Sequence, residues 1–134
     1  MSKLSELPKK YPRVFNDKPF YFECNDGWYD LLDHLCYMID DRQAKAGLDI
    51  HVSQIKEKFG GLRFYFYGGD DVIHYLVDFA SKLSYTVCEQ CGEKGKLRNE
   101  HGWMYTACDQ HYNGEDEDDE DTTEQPVDQA AGDV

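Results

Sequence analysis

The stretch HVSQIKEKFGGLRFYFYGG, residues 51–69, decides the fold because it predicts a β-hairpin with two different faces. Apolar and polar residues alternate on both sides of Gly60-Gly61, which is typical of two antiparallel strands joined by a two-residue turn. The turn fixes the register, and the register sorts the faces. One face is predicted to be apolar and to pack on helices, with the pairs Phe59–Leu62, Glu57–Phe64 and Ile55–Phe66. The other face is predicted to be exposed, with the pairs Lys58–Arg63, Lys56–Tyr65 and Gln54–Tyr67.

Two amphipathic helices are predicted on either side of this hairpin in the chain. The first spans about residues 25–47, with Asn25 or Asp26 as its N-cap and Gly47 as its C-terminal stop. The second begins at Asp70 or Asp71, and each helix has one apolar stripe at helical spacing. The stripes are Trp28, Leu31, Leu32, Leu35, Cys36 and Ile39 in the first helix, and Val72, Ile73, Leu76, Val77, Ala80 and Leu83 in the second.

The remaining elements complete a prediction of the fold class. FYFEC, residues 20–24, alternates like a short strand. Residues 1–18 are predicted to form an irregular arm, with a helical turn around Ser5 as a further possibility. Together the elements predict an α+β fold in which two amphipathic helices cover one face of a small antiparallel sheet. We expect three segments: a core with its N-terminal arm at residues 1–86, a separate unit with three cysteines at 87–113, and an acidic tail at 114–134.

The stretch VCEQCGEKGKLRNEHGWMYTACDQH contains two matched pairs of metal-ligand residues. Cys88 and Cys91 form a C-x₂-C pair, and Cys108 and His111 form a C-x₂-H pair. The residues between the pairs predict a hairpin that turns near Glu100–Gly102 and brings the pairs together. Three cysteines and one histidine are a common ligand set for structural Zn²⁺, and four protein ligands leave no position for a catalytic water. The sequence therefore predicts a zinc knuckle or ribbon with a structural Zn²⁺.

The fourth ligand has one competitor in the sequence. His101 also lies between the cysteine pairs, but His111 has the paired spacing. Few apolar residues are available within residues 87–113 to build a core, so we expect metal binding to supply much of the free energy that folds this unit.

A second candidate site is the exposed face of the hairpin, which we call the basic face: Lys56, Lys58, Arg63, Tyr65 and Tyr67. Cations bind phosphate groups and tyrosine rings stack on bases, so this composition favours an anion or a nucleic acid. Lysines on strands also keep exposed sheets from aggregating, and the sequence leaves that solvated-surface alternative open. The basic residues that would extend the site are Lys94, Lys96 and Arg98.

The acidic residues are concentrated at the C-terminus. The formal net charge is −13, and ten of the 27 acidic residues lie in residues 114–134, which leaves −3 for residues 1–113. The tail has no aromatic residue and few aliphatic ones, so it cannot bury enough apolar surface to offset the entropy of ordering. We therefore expect it to be disordered.

The sequence also predicts a compartment. The N-terminal residues have no apolar run of the kind found in signal peptides, and no segment approaches the roughly 20 apolar residues of a membrane span. Closely spaced cysteines in a reducing cytosol are metal ligands more often than disulfides. We expect a cytoplasmic protein that does not contact a membrane.

Three motifs resemble a family of small, uncharacterised, zinc-ribbon-like proteins encoded by bacteriophages and prophages. They are FECNDGWYDLLDHLC, QIKEKFGGLRFYF, and the C-x₂-C-G and C-x₂-H pairs, and the resemblance covers residues 20–111. It implies expression in the cytosol of an infected host bacterium, and it implies no named activity. The metal ligands are the residues that the resemblance carries over, and the acidic tail is not part of its pattern.

These features together predict a non-enzymatic, zinc-stabilised binding module whose partner is a host protein or a nucleic acid. One alternative is an enzyme that acts on nucleic acid, with Glu23, Asp26 or His101 near the basic face. Another is a nucleic-acid mimic, in which the acidic tail occupies the basic groove of a host protein. The sequence decides neither the partner nor the oligomeric state.

Overall fold

The computed structural model describes residues 3–16 and 18–112, which form an α+β fold. The predicted disorder of residues 114–134 lies outside the described residues. The helices are α1 (Leu7–Lys10), α2 (Pro12–Phe15), α3 (Tyr29–Ala46) and α4 (Asp71–Leu83), and the strands are β1 (Phe22–Glu23), β2 (His51–Lys58), β3 (Gly61–Tyr67), β4 (Lys96–Glu100) and β5 (Trp103–Ala107). Short 3₁₀ turns occur at Lys3–Glu6, Asp26–Trp28, Ser84–Thr86 and Asp109–His111.

Helix α3 confirms the first predicted apolar stripe. Leu31 is half-buried, and Gly47 ends the helix in the left-handed conformation with φ of 69°. A residue without a Cβ adopts this conformation at no steric cost, which is why glycine is common there. The buried members of the stripe are Trp28, Leu32, Leu35, Cys36 and Ile39.

The predicted N-caps of this helix are wrong, because a 3₁₀ turn precedes it. Asn25 precedes that turn but makes no capping bond through its side chain. The carboxylate of Asp26 instead accepts hydrogen bonds from the backbone N–H groups of Lys3 (2.9 Å) and Leu4 (3.2 Å). Asp26 therefore fixes the N-terminal segment against the start of α3.

Helix α4 confirms its predicted cap and corrects part of its stripe. Asp70 accepts a hydrogen bond from the backbone N–H of Ile73 at 3.1 Å, as an N-cap does. Ile73 and Ala80 are buried, but Val72 and Leu83 are each 39% exposed. The helix packs on α3 and β3 from one side, so apolar residues at the edges of the stripe stay in solvent.

The main sheet is mixed, which corrects the predicted antiparallel arrangement. Its strand order is β1-β2-β3, with β2 and β3 antiparallel but β1 and β2 parallel, so that Phe22 aligns with Ile55. Helix α3 lies between β1 and β2 in the chain. A crossover through a helix returns the chain in the same direction, which gives a parallel pair. The apolar face of this sheet meets the helices through Ile55, Leu62 and Phe64, all buried.

The turn of the β2–β3 hairpin is one residue earlier than predicted. Phe59 and Gly60 form it, with φ of 55° and 87°, which are the left-handed values of a type I′ turn. The predicted pairing is therefore wrong, although the strand residues keep their predicted faces because the shift preserves the alternation. Phe59 is the exception, because it lies in the turn and is 62% exposed and not on the apolar face. The observed pairs are Lys58–Gly61, Glu57–Leu62, Lys56–Arg63, Ile55–Phe64 and Gln54–Tyr65, and beyond a bulge in β2, Val52–Phe66 and His51–Tyr67.

The N-terminal segment is more regular than the arm predicted from sequence, although the helical turn predicted around Ser5 is present. It forms a 3₁₀ turn and two single-turn helices that add five side chains to the main core. Each of the helices α1 and α2 has a proline in its first turn, where the missing backbone N–H breaks no helical hydrogen bond. The side chains that reach the core are Leu4, Leu7, Tyr11, Val14 and Phe15.

Asp33 holds this segment against α3. Its carboxylate accepts hydrogen bonds from the Tyr11 hydroxyl at 2.6 Å and from the Lys10 ammonium group at 3.1 Å. Burial would raise the pKa of Asp33, but these two hydrogen bonds outweigh it and hold the pKa below its ordinary value. The residue lies outside the apolar stripe and is nevertheless a tertiary anchor.

We expect Tyr11→Phe to lower the free energy of unfolding by about 1.5–3 kcal/mol at neutral pH, because it removes a hydrogen bond to a charged group. The folded-state pKa of Asp33 is lowered, so its contribution is present above the unfolded value of about 3.9 and is lost as pH falls through the folded-state pKa. The difference from wild type should therefore shrink in acid.

Urea titrations at several pH values measure this difference. Tyr21→Phe is the matched control, since Tyr21 is 86% exposed and should tolerate the same change. An equal loss in both variants would contradict the anchor.

Candidate metal centre and the surfaces around it

The second sheet confirms the predicted hairpin between the two ligand pairs. Strands β4 and β5 are antiparallel, with Lys96 opposite Ala107 and Glu100 opposite Trp103. His101 and Gly102 form the turn with φ of 56° and 90°. The strands carry the chain back, so the C-x₂-H pair returns to the C-x₂-C pair.

Four side chains meet where this hairpin closes: Cys88, Cys91, Cys108 and His111. One ligand atom from each lies within 4.8 Å of the others. The Cys91 and Cys108 sulfurs are 3.7 Å apart, and His111 Nδ1 lies 3.6 Å from the Cys88 sulfur and 3.2 Å from the Cys108 sulfur. The cluster could hold a metal ion.

The first two of these distances are compatible with the predicted tetrahedral Zn²⁺ site, and the third is shorter than such a site requires. Thiolate and imidazole ligands at about 2.3 and 2.0 Å from a tetrahedral Zn²⁺ lie about 3.5–3.8 Å from one another. His101, the competing ligand in the sequence, is exposed in the β4–β5 turn at the other end of the hairpin and is not part of the cluster. His111 is therefore the histidine that the fold brings to the cysteines.

The backbone around the first cysteine pair forms a tight turn. Gly92 has φ of 87° and donates its N–H to the carbonyl of Cys88 at 2.9 Å. The N–H of Cys88 donates to the carbonyl of Glu93 at 2.8 Å. These bonds hold Cys88 and Cys91 on one side of the cluster.

The local environment also favours a thiolate at Cys108. Burial opposes ionisation, but hydrogen bonds with the ring and backbone N–H of His111 outweigh it and lower the pKa of Cys108 to about 6. The thiolate is the form of cysteine that ligates metals.

This turn packs directly on the start of α3. Gly27 donates its N–H to the carbonyl of Glu89 at 2.8 Å, and the Trp28 indole N–H donates to the carbonyl of Val87 at 2.9 Å. A Cβ on Gly27 would lie 2.3 Å from the carbonyl oxygens of Cys88 and Glu89. The cysteine turn and the helical core thus share an interface that only glycine permits.

Arg98 corrects the predicted extension of the basic surface. Its side chain is 1% exposed, and it donates to the carbonyl of Ala107 at 3.1 Å and to the carboxylate of Asp109 at 2.9 Å. Its guanidinium also lies 4.2 Å from the ring centroid of Tyr112. Arg98 therefore braces the segment that carries Cys108 and does not face a ligand in solvent.

The basic face is open on one side of the main sheet. Lys56 stands directly opposite Arg63, and Lys58 stands opposite Gly61, which replaces the predicted Lys58–Arg63 pair. Within residues 3–16 and 18–112, none of these three cations forms an ion pair. The like-charge pair exists, although between different residues from those predicted.

Aromatic and acidic groups border these cations. Tyr65 is 43% exposed and Tyr67 is 69% exposed. Glu23 aligns with Lys56 across the β1–β2 pair, and its carboxylate accepts a hydrogen bond from the Gln54 side chain at 3.0 Å. The face is therefore basic at its centre and acidic at the β1 edge.

A cleft that the sequence did not reveal lies between β1 and the β4–β5 hairpin. Its volume is about 600 Å³, and its walls come from segments far apart in the chain. Burial raises the pKa of Glu89 in its wall, and burial together with neighbouring carboxylates raises the pKa of Cys24 to about 12. The groups around the cleft include Glu23, Cys24, Glu57, Glu89, Glu100, Trp103, Tyr105 and His111.

The three candidates for catalysis occupy different places. Glu23 lines the acidic cleft, Asp26 holds the N-terminal segment, and His101 lies in the β4–β5 turn. The fold does not gather them into one cluster.

Comparison with known proteins found no significant match to a family model, a curated protein or a solved structure. None of the helices in the described part of the chain has the length and apolar character needed to cross a membrane.

We expect the purified protein to bind about one Zn²⁺ per chain, and Cys91→Ser to lose it, because three ligands bind a structural metal more weakly than four. Metal analysis after gel filtration measures the content. His111→Ala should also lose the metal, whereas His101→Ala should keep it. Loss in His101→Ala with retention in His111→Ala would contradict the ligand set.

Proposed function

We propose that the protein is a non-enzymatic binding module, stabilised by a structural Zn²⁺, that binds single-stranded nucleic acid on its basic face. The observation that carries this proposal is the open face of the main sheet, where Lys56 and Arg63 stand directly opposite each other and neither forms an ion pair within residues 3–16 and 18–112, although Glu23 lies beside Lys56 at the β1 edge. Directly opposed like charges destabilise a sheet. A phosphate group bound between them would remove that repulsion.

The tyrosines support a nucleic acid over a simple anion. Tyr65 and Tyr67 lie two and four residues after Arg63 on the same face of β3, and the rings of both tyrosines are exposed. Base-on-aromatic stacking contributes about 1–3 kcal/mol per base and tolerates any sequence. Flat rings beside paired cations suit a flexible single strand, whose bases can turn toward the sheet.

Zinc has a structural role in this proposal. Three thiolates and one imidazole close a tetrahedral shell, whereas catalytic zinc sites keep a position for water. The ligands lie in a unit with a small core of its own, formed by Cys88, Ala107 and Cys108 with Tyr105 packed against it. Binding a metal would offset the entropy of ordering such a unit.

The setting that we propose is the cytosol of a host bacterium, because the motifs resemble phage and prophage proteins. A host protein is the second candidate partner, and one feature favours it. The outward side of α4 exposes Tyr75 (72%) and Phe79 (66%), and exposed aromatic residues of this kind are enriched in protein interfaces. An enzyme acting on nucleic acid and an acidic mimic remain alternative hypotheses.

Fluorescence anisotropy with a labelled single-stranded oligonucleotide tests the basic face. Lys56→Ala and Arg63→Ala should each weaken binding and lower the slope of log K against log salt by about 1, because each removes a phosphate contact. Lys9→Ala removes one exposed charge from α1 and should change neither. Equal weakening by Lys9→Ala would show that only net charge matters.

We expect deletion of residues 114–134 to strengthen this binding at low salt. The tail carries ten acidic residues, and its tether gives it an effective concentration on the order of millimolar near the basic face. The gain should vanish near 1 M salt, where the Debye length is about 3 Å. A tail of the same composition in scrambled order is the control and should mask equally well.

If the truncated protein binds no nucleic acid at any salt concentration, the basic face is only a solvated surface. The host-protein alternative would then lead.

A further inference from the structure

Strand β3 is a free edge of the main sheet, since the strand order is β1-β2-β3 within the described part of the chain. Its sequence, GLRFYFY, has high β propensity, one charge and no proline. An exposed strand of this kind is a template for pairing with another strand. Proteins usually protect such edges with charges, prolines, bulges or a covering element, and here the bulge lies in β2.

The protein covers the beginning of this edge and leaves the rest. Leu62 donates its backbone N–H to the Ser84 hydroxyl at 2.9 Å and accepts from the Ser81 hydroxyl at 2.8 Å. These bonds show that Leu62 directs its peptide groups away from β2. Because direction alternates along a strand, Phe64 and Phe66 direct theirs to the same outer side. Among residues 3–16 and 18–112, no group outside the β2–β3 ladder bonds to them.

Space is available beside these peptide groups. A groove of about 380 Å³ runs between residues 62–66 of β3 and one side of α4, lined there by His74, Val77 and Asp78. The groove is open to solvent, which leaves room for a further strand at the edge.

We propose that the protein forms a two-fold symmetric dimer in which β3 pairs antiparallel with β3 of a second copy, centred on Tyr65. In this register Phe64 lies opposite Phe66 of the partner subunit, and Phe66 lies opposite Phe64 of the partner subunit. Each of these pairs exchanges both of its backbone hydrogen bonds, so the outward N–H and C=O groups of both residues are satisfied. Leu62, whose groups the serines already occupy, is not needed.

The side chains on the basic face agree with this register. Tyr65 lies opposite Tyr65 of the partner subunit, and aromatic pairs directly across strands are stabilising. Arg63 lies opposite Tyr67 of the partner subunit, which places a guanidinium beside an exposed ring and not beside another cation. A symmetric pairing thus satisfies both the backbone and the charges, which favours a second copy over an unrelated strand.

The dimer would enlarge the basic surface, and salt should affect dimer formation and nucleic-acid binding in opposite directions. Two basic faces would join into one continuous surface across a six-stranded sheet. Each chain carries a net charge of −13, so two copies repel one another at low salt. Raising the salt concentration should strengthen the dimer and weaken nucleic-acid binding. Dimer formation and nucleic-acid binding can therefore be distinguished by their opposite responses to salt.

Sedimentation velocity of the full chain over a series of protein and salt concentrations tests the dimer. Wild type should dimerise, more tightly at higher salt. Phe66→Pro removes the outward N–H of residue 66 and keeps the hydrogen bonds to β2. Edge strands tolerate proline at positions whose N–H faces away from the sheet. This variant should therefore be monomeric. Phe66→Ala removes the same ring but keeps the N–H, so it should remain dimeric. Circular dichroism checks that both variants fold.

A cross-link gives a second readout if Phe66→Pro does not fold. Residues at the centre of the pairing have Cα atoms about 4.5 Å apart, within the range of a disulfide. Tyr65→Cys should therefore give a covalent dimer under mild oxidation, whereas Tyr67→Cys and wild type should not. A wild-type protein that stays monomeric at every concentration and salt, equal dimerisation of Phe66→Pro and Phe66→Ala, or equal cross-linking of both cysteine variants would overturn the proposal.

Discussion

The contact between the cysteine turn and the start of α3 is the constraint on which the two halves of the molecule depend. Trp28 is fully buried in the main core, and its indole N–H reaches out to the carbonyl of Val87, next to the first metal ligand. Gly27 brings the two backbones so close that the carbonyl of Glu89 accepts its N–H. Without this acceptor the buried indole N–H would have no hydrogen-bond partner, which would destabilise the fold by about 1–3 kcal/mol. The geometry of the metal ligands and the position of α3 are therefore set together.

Alternation along β2 gives the protein two electrically different sides. Lys56 points to the open basic face, while its neighbour Glu57 points to the side of the acidic cleft. The cleft also contains Glu89 and Glu100 and adjoins the ligand His111. An anionic polymer would be attracted to the first side and repelled from the second. The Cys/His cluster thus lies on the side that an anionic polymer would avoid, which agrees with the proposal of a metal that stabilises the fold and does not touch a nucleic acid.

Sequence patterns predicted the features that depend on local spacing. The two ligand pairs, the stripe of α3, the Asp70 cap and the faces of the β2–β3 hairpin all follow from residues close together in the chain. The incorrect predictions concern residues whose conformation or burial depends on contacts with distant parts of the chain. Phe59 takes the left-handed conformation that glycine was expected to take, because Gly60 packs against the β4–β5 hairpin. Arg98 looks like a surface cation in sequence, and only the fold shows that it is buried between β5 and Asp109.

The same β2–β3 turn joins the metal centre to the basic face. Thr106, next to the ligand-bearing end of β5, donates its hydroxyl hydrogen to the carbonyl of Gly60 at 2.6 Å, and both residues are buried. The turn also receives the carboxylate of Glu57, which accepts the N–H of Gly60 at 2.7 Å. Lys58 precedes this turn directly, so its position on the basic face depends on a turn that rests on β5. If the cluster holds a metal as proposed, we expect its removal to loosen β5 and then the turn, and the cations of the basic face to lose their fixed spacing although none of them belongs to the cluster.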